Sequence, residues 1–219
     1  MSFYLVLGAG RFGRLALERL GKLDKEAKFL IVDRDPQALA AIRVLNPPVG
    51  IREAEAARFL AENLHQGCPW DWIIPMAPVH AAYAWLRQGP LGGAGWQSAP
   101  VPEAVGNLAP AVIRGEEGEL YLSYSDHLCP DDCPEPDICP VSGEGRGTPL
   151  YEALAAIRIP GCRILVMVSR QLAPGVGGYP PGELLRLALE VGSCTGKFLI
   201  ATACRCHGVV HGLEREVKQ

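Results

Sequence analysis

The 219-residue sequence lacks several features that would point to common classes of protein. Its net charge is -3 and it has no basic stripe, so nucleic acid is not an expected partner. Its longest apolar runs, such as residues 163–168, have the length of a strand and are far too short to span a bilayer. The N-terminus has no signal-peptide pattern, because an apolar strand is predicted to begin within the first three residues. We therefore expect a cytoplasmic protein that does not span a membrane.

Motifs of hydrolases and kinases are also missing. The sequence contains no Ser-His-Asp order, no Gly-x-Ser-x-Gly turn, no P-loop lysine and no His-Glu-x-x-His. No catalytic acid or base can be identified either, so the sequence does not decide whether the protein is an enzyme. If it is one, we expect an oxidoreductase. The composition, with 48% hydrophobic residues, is that of a globular protein with a substantial core, in one large domain or two small ones.

The most informative feature that is present is a glycine-rich segment after the first predicted strand. Gly8, Gly10 and Gly13 form the pattern Gly-x-Gly-x-x-Gly, and a helix is predicted to begin directly after them. The first glycine of such a loop allows a sharp turn, the second lets backbone N–H groups approach a pyrophosphate, and the third lets helix and strand pack closely. The second predicted strand, residues 28–32, leads into Asp33, whose carboxylate can accept a hydrogen bond from a ribose 2′-OH. These features predict a dinucleotide-binding loop.

This segment resembles the nucleotide-binding domain of the TrkA-N family, also called KTN or RCK. The resemblance covers residues 3–45: an apolar strand, Gly-x-Gly-Arg-Phe-Gly, a helix, and a strand ending in Asp-x-Asp-Pro. It implies that the chain binds NAD(H) and pairs as a homodimer, and that it acts together with a redox or transport partner protein. The carboxylate of Asp33 favours NAD because it repels a 2′-phosphate, and the adjacent Arg34 softens that preference. The predicted cofactor-binding residues are Gly8, Gly10, Arg11, Phe12, Gly13, Asp33 and Arg34.

Strands alternate with helical patterns along the first 90 residues, which predicts a parallel sheet with right-handed crossovers. Glycine and proline then become dense, and one hairpin is predicted over residues 111–125. We predict an α/β fold, with a Rossmann-like, doubly wound, mostly parallel sheet of six strands and a cysteine-rich insertion. Residues 1–88 begin this domain, residues 89–161 are the insertion, and residues 162–219 complete the sheet with a C-terminal βαβ unit. Two separate domains divided near residue 105 are the alternative.

Three of the eight cysteines, Cys129, Cys133 and Cys139, lie within eleven residues, and each is followed by a proline. The prolines stiffen the loop, so thiolates could be held in place there without regular structure. In a cytoplasmic protein such cysteines indicate metal ligands or reactive thiols rather than disulfides. The spacing C-x3-C-x5-C matches neither the usual zinc pattern nor the ferredoxin pattern, so it predicts either an iron–sulfur cluster or zinc. Three unliganded cysteines in a surface loop are the alternative.

A metal site on this loop needs a fourth ligand, and Cys204-Arg205-Cys206-His207 follows the last predicted strand. Ligands of open α/β sheets bind outside the carboxyl ends of the strands, which is where this segment is expected. We predict Cys206 as the fourth ligand. The alternatives are Cys204, His207 and Cys162, and His127 beside the loop is a further candidate ligand or proton carrier.

Two functions are compatible with these features. The first is a redox enzyme or electron-transfer subunit that holds NAD(H) and an iron–sulfur cluster. Hydride transfer delivers two electrons and a cluster takes one, so this function needs a flavin or a partner protein between them. The second, which the resemblance implies, is a non-enzymatic nucleotide-sensing module in which bound NAD(H) shifts a conformational equilibrium and the metal is structural zinc.

Overall fold

The computed structural model describes residues 1–45, 49–93, 95–193 and 196–215. They fall into two compact units, each built from two stretches of chain. The first unit is Met1–Pro90 with Arg170–Ala188, and the second unit is Leu91–Ser169 with Leu189–Gln219.

The elements follow one another as strands and helices, with an irregular stretch between β7 and α6. In chain order they are β1 (Phe3–Leu7), α1 (Arg11–Leu23), β2 (Lys28–Asp33), α2 (Pro36–Leu45), β3 (Val49–Glu53), α3 (Ala56–Asn63), β4 (Trp72–Pro75), α4 (Ala81–Gln88), β5 (Trp96–Ala99), α5 (Glu103–Gly106), β6 (Ala111–Arg114), β7 (Leu120–Ser123), α6 (Leu150–Ala156), β8 (Cys162–Val168), β9 (Arg170–Ala173), β10 (Val176–Gly178), α7 (Pro181–Gly192), β11 (Lys197–Ala203) and β12 (His207–Arg215).

The first unit contains a four-stranded parallel sheet in the order β3-β2-β1-β4. Leu5, Val6 and Leu7 of β1 are all fully buried, although successive side chains of a strand point to opposite faces. Both faces of this strand are therefore covered, as is usual in a parallel sheet that alternates with helices. The prediction of an α/β fold with a parallel sheet is confirmed.

A hairpin from later in the chain completes the first unit. β9 and β10 pair antiparallel, and the next residue, Tyr179, exchanges backbone hydrogen bonds with Ile73 of β4 at 2.9 and 3.1 Å. Arg19 of α1 also donates to the carbonyl oxygen of Pro174 at 2.9 Å. Gly178 allows this approach, because a Cβ there would lie 2.8 Å from the carbonyl oxygen of Ile73.

The second unit contains a mixed sheet in the order β6-β7-β12-β11-β8, and β5 also pairs with β12. β8 and β11 run parallel, whereas β12 runs antiparallel to β11, β7 and β5. The predicted hairpin is confirmed as β6 and β7. Leu150 and Leu154 of α6 pack in the same core as Leu199 of β11 and Val210 of β12.

The prediction that residues 162–219 complete a single six-stranded parallel sheet is wrong. β8 and β11 lie in the second sheet, where β12 folds back on β11 along seven paired residues, from Ala203–Gly208 to Lys197–Glu214. Val210 and Leu213 of β12 are fully buried, and the burial of their side chains stabilises this antiparallel pairing. The structural division falls after Pro90, and residues 170–188 return to the first unit.

Across the ranges that the structure describes, no helix combines the length and the apolar character needed to cross a bilayer.

Candidate functional site

The glycine-rich loop joins β1 to α1 at the carboxyl end of the parallel sheet. Gly8 has φ +113°, a conformation that favours glycine, and a Cβ there would lie 2.8 Å from the backbone nitrogen of Ala77. A Cβ at Gly13 would collide with the carbonyl oxygen of Gly8. Both glycines are therefore required by close approaches between backbone segments.

Gly10 differs from the other two glycines because the space that a Cβ would occupy is empty. Among the described atoms, none lies within 4 Å of the position that a Cβ would take. Gly10 precedes α1, and in the described chain no side chain caps this helix and no acidic residue lies in its first turn. An anion beside Gly10 would therefore meet the positive end of the α1 dipole.

Asp33 ends β2 beside the glycine loop. Its Oδ2 accepts a hydrogen bond from the N–H of Ala9 at 2.6 Å, and its Oδ1 accepts one from the N–H of Asp35 at 2.9 Å. The N–H of Gly8 donates to the carbonyl oxygen of Val32 at 2.8 Å. The bond from Ala9 holds the carboxylate against the glycine loop.

The other predicted cofactor-binding residues lie nearby along the chain. Arg11 and Phe12 occupy the first turn of α1, and the guanidinium of Arg11 lies 5.6 Å from the centre of the Phe12 ring. Phe12 is 47% exposed. Arg34 follows Asp33 and is exposed.

The cysteine-rich loop of the second unit, residues 124–147, lies against the turn between β11 and β12. The N–H of Tyr124 donates to the carbonyl oxygen of Cys206 at 2.9 Å. The guanidinium of Arg205 pairs with the Asp137 carboxylate at 2.9 Å. The structure thus brings the predicted Cys206 to the loop that carries Cys129, Cys133 and Cys139. We call these four cysteines, together with Cys204, His127 and His207, the thiol cluster.

Arg146 is a member of this neighbourhood that the sequence analysis missed. Its Nη2 donates to Cys133 Sγ at 3.4 Å, and it also hydrogen-bonds the Cys139 thiol and interacts with the charge of Cys206. Burial alone would lower the pKa of Arg146, but the bonds to Cys133 and Cys139 raise it. Its Nη1 is buried and has no hydrogen-bond partner in the part of the chain that the structure describes.

Two thiols of the cluster accept hydrogen bonds in the same kind of tight turn. Cys139 accepts from the backbone N–H groups of Ser142 and Val141, which lowers the pKa of this thiol to about 6. Cys204 accepts in the same way from the backbone N–H groups of Cys206 and His207. Hydrogen bonds from backbone N–H groups favour the thiolate form, which is the form that binds metals.

Burial acts against the thiolate form at the other turn. Burial and then Glu135 raise the pKa of Cys204 to about 12, which outweighs the two backbone N–H groups. Burial also raises the pKa of Cys206, and Arg146 opposes that effect. Glu135 has φ 50°, an uncommon conformation for a residue that is not glycine, and it lies in the middle of the loop.

Each of two histidines lies next to a thiol. Nε2 of His207 is 3.6 Å from Cys129 Sγ, and its Nδ1 is 3.9 Å from Cys204 Sγ. Nε2 of His127 is 3.7 Å from Cys139 Sγ, and its Nδ1 is 3.2 Å from the Asp126 carboxylate. Asp126 and, to a lesser extent, Cys139 raise the pKa of His127, whereas burial lowers the pKa of His207.

A cavity of about 190 Å³ opens beside the thiol cluster. Within the described residues, no three His, Cys, Asp or Glu side chains converge on one point as ligands of a single ion. The donors meet in pairs instead. The cavity is lined by residues that include Tyr124, His127, Cys139, Ser142, Arg146 and Cys206.

Cys162 does not join the thiol cluster. It begins β8 and pairs with Lys197, the first residue of β11, whereas Cys204 follows the last residue of that strand. Cys162 therefore lies at the opposite end of these strands. Cys68 belongs to the first unit, and Cys194 lies outside the described residues.

Comparison with known proteins gives two matches. A family model described as "Uncharacterized protein, C-terminal domain" matches residues 76–216, which include the thiol cluster but not the glycine loop. An "Uncharacterized protein" of Archaeoglobus fulgidus is 31% identical over 224 residues, covering 96% of this chain and 99% of the relative. No solved structure matches the chain.

Proposed function

The chain belongs to the family of this archaeal protein and its C-terminal domain, and we propose from its own residues that it binds NAD(H). The first unit would hold the dinucleotide, and the second unit would hold a metal at the thiol cluster. The proposal for the first unit depends on one observation, the geometry of the glycine loop.

Three properties of this loop fit a dinucleotide. Gly8 and Gly13 bring strand, loop and helix into close contact, and Gly10 leaves open the space where a pyrophosphate would approach the start of α1. The strand order β3-β2-β1-β4 is also that of the first part of a doubly wound sheet, which supports a Rossmann-like first unit. A resemblance to the TrkA-N domain points to the same ligand.

The residues of the loop would divide the work of binding. Backbone N–H groups at the start of α1 would bind the pyrophosphate, because the positive end of the helix dipole lies there and the first turn of the described helix holds no acidic residue. Each carboxylate oxygen of Asp33 accepts one backbone hydrogen bond and keeps a lone pair for a ribose hydroxyl. Arg11, Phe12 and Arg34 would contact the rest of the nucleotide. Bound NAD(H) supplies a hydride donor or acceptor.

The role of the bound nucleotide can be redox or regulatory. A metal centre in either role gains support from the Cys139 thiol, because backbone N–H groups favour the thiolate form that binds iron–sulfur clusters and zinc alike. A sensing role gains support from the contacts of His127 and His207 with thiols, because mixed Cys and His ligands suit redox-silent zinc. In the sensing role the chain would pair with a second copy and act on a partner protein.

Calorimetric titration of the full chain with NADH tests the proposal. We expect one binding site, and we expect Gly10→Ala to weaken binding by about tenfold or more, a loss of about 1.4 kcal/mol. The added methyl group would occupy the space of the pyrophosphate without touching the protein. Gly182→Ala is a matched control, because Gly182 also lies in the first unit with open space at its Cβ position, and it should leave binding unchanged.

Two results would contradict NAD(H) binding at this loop. One is the absence of any heat of binding for the unmodified chain, and the other is equal affinity in Gly10→Ala and the unmodified chain. If NADH binds, an assay of NADH oxidation by the full chain with an artificial electron acceptor separates the redox role from the sensing role. Turnover supports the redox role, and binding without turnover supports the sensing role.

A further inference from the structure

We propose that Glu53 selects the dinucleotide: its carboxylate, beside that of Asp33, repels the 2′-phosphate of NADP(H) and so limits the site to NAD(H). This inference deepens the proposed dinucleotide site and rests on it. It gives a role to a residue outside the glycine-rich motif, because that motif ends at Asp33 on β2, whereas Glu53 ends β3.

The first sheet places Glu53 directly beside Asp33. β2 and β3 run parallel, and the last pair of residues in their register is Asp33 with Glu53. Neighbouring strands lie about 4.8 Å apart, and residues paired across two strands direct their side chains to the same face of a sheet. The N–H of Ala54 donates to the carbonyl oxygen of Asp33 at 3.0 Å, which extends the pairing past the last residue of β3. Both carboxylates are therefore held at the carboxyl edge, on the same face.

Four acidic residues follow or end β2 and β3, and three of them accept hydrogen bonds from the backbone. Asp33 accepts from the two N–H groups described above. Asp35 accepts from the N–H of Gln37 at 2.8 Å, and Glu55 caps α3 through two N–H groups at 3.0 and 2.7 Å. In the part of the chain that the structure describes, the Glu53 carboxylate takes part in no hydrogen bond and no ion pair. Its charge is thus left to act on a ligand.

The chemistry of the two dinucleotides differs at the adenosine ribose. NAD(H) has a 2′-hydroxyl there, which can donate a hydrogen bond to a carboxylate. NADP(H) has a phosphate monoester instead, which carries close to two negative charges at neutral pH. A phosphate at the Asp33 carboxylate would also face Glu53 on the next strand, so two like charges would repel it in place of one.

Arg34 explains why a second carboxylate matters for selection. Arg34 follows Asp33 and is exposed, and a guanidinium attracts phosphate. Arg52 precedes Glu53 and pairs with Val32, so its side chain is directed to the opposite face from that of Glu53. With Asp33 alone, Arg34 would balance the charge at the ribose position. Glu53 leaves an excess of negative charge there, which favours NAD(H).

Calorimetric titration of the full chain with NADH and with NADPH tests this role. The unmodified chain should bind NADH at least about fiftyfold more tightly than NADPH. Glu53→Gln removes the charge and keeps the size of the side chain, so it should strengthen NADPH binding about five- to tenfold and change NADH affinity less than about twofold. Glu53→Lys should strengthen NADPH binding further, because it replaces repulsion by attraction. Glu26→Gln is the matched control, since it removes the same charge from an exposed residue before the amino end of β2 and should change neither affinity.

The comparison of two ligands separates selection from folding. A variant that is partly unfolded loses affinity for both ligands, whereas the Glu53 charge acts on NADPH. An unmodified chain that binds NADH, with a ratio of NADH to NADPH affinity that Glu53→Gln leaves unaltered, would overturn the role of Glu53 and leave the dinucleotide site intact. Equal affinity of the unmodified chain for the two ligands would also overturn that role. A chain that binds neither ligand would overturn the dinucleotide site itself, and this inference with it.

Discussion

The two candidate sites of this protein are built in different ways. At the glycine loop of the first unit, the backbone makes the site: Gly8 and Gly13 permit close contacts of main-chain atoms, and Asp33 bonds to backbone N–H groups. At the thiol cluster of the second unit, side chains make the site, and partners such as Cys129 and His207 lie 78 residues apart in the sequence. A local site of the first kind is specified by a short motif, whereas one of the second kind depends on the whole fold of its unit.

The sharpest test of a backbone-made site is to add a methyl group at Gly13. Gly13→Ala should lower the free energy of unfolding by about 3 kcal/mol, because the Cβ would force α1 away from the Gly8 carbonyl. Urea unfolding followed by tryptophan fluorescence measures the change, since three of the four tryptophans, Trp70, Trp72 and Trp85, lie in the first unit.

Gly21→Ala in the same helix provides the matched control. The Cβ of this variant would lie 3.9 Å from the Phe29 ring, an ordinary contact. It should therefore stabilise the chain by about 0.5 to 1 kcal/mol, through the better helix propensity of alanine. Equal effects of the two substitutions would mean that the close approach at Gly13 has no energetic weight.

The core of the second unit should respond to pH even when no metal is bound. His211 of β12 is buried, and burial lowers its pKa to about 4, from an ordinary value of 6.5. Between these two pH values the unfolded chain binds a proton that the folded chain does not, so stability should fall as pH falls from 6.5 to 4. The largest expected loss from this group is about 3 kcal/mol.

The measurement is urea unfolding, followed by circular dichroism between pH 4 and pH 7 in the presence of a zinc chelator. His211→Gln, which stays neutral, should show a shallower loss of stability over this range. An unchanged pH profile in this variant would show that other groups cause the acid sensitivity. The chelator separates this effect of the sheet from zinc release at the thiol cluster.

A smaller effect is expected from the charge of Asp33. Asp33→Asn keeps the shape of the side chain but removes its negative charge. In Asp33 this charged carboxylate accepts hydrogen bonds from two backbone N–H groups and would repel a 2′-phosphate. NADH affinity should fall about fivefold, and the preference for NADH over NADPH should narrow. Asp35→Asn is the control, because Asp35 accepts from the N–H of Gln37 in the next helix and is not expected to touch the nucleotide. An unaltered preference in Asp33→Asn would contradict the assigned role.

Regular structure of the first unit could be predicted because its signals are local. Apolar strands and helical spacing alternate over the first 90 residues, and their order alone implies parallel pairing. The sheet that β8 and β11 join could not be predicted in the same way, because an apolar strand has the same pattern in either sheet. β8 and β11 lie in the second sheet because β11 pairs with β12. The sequence does not predict β12 as a strand, because it contains two internal glycines and a charged end.

The two candidate sites differ in the same way in how far the sequence predicts them. The positions of Gly8, Gly13 and Asp33 follow from one motif. The approach of Cys206 to the cysteine-rich loop was expected from the edge of the sheet, although the sheet proved to be a different one. Arg146 could not be identified, because it stands in a glycine-rich segment where nothing distinguishes it from a solvated arginine until the fold places it beside three thiols.

Hydrogen–deuterium exchange of the full chain, with and without NADH and with and without zinc, tests the assignment of one ligand to each unit most directly. The account predicts that NADH slows exchange at the backbone amides of residues 8–14, and that zinc slows exchange in the cysteine-rich loop, residues 124–147. Unchanged exchange of residues 8–14 at saturating NADH would contradict the dinucleotide site. Unchanged exchange of the loop on addition of zinc would contradict zinc binding at the thiol cluster.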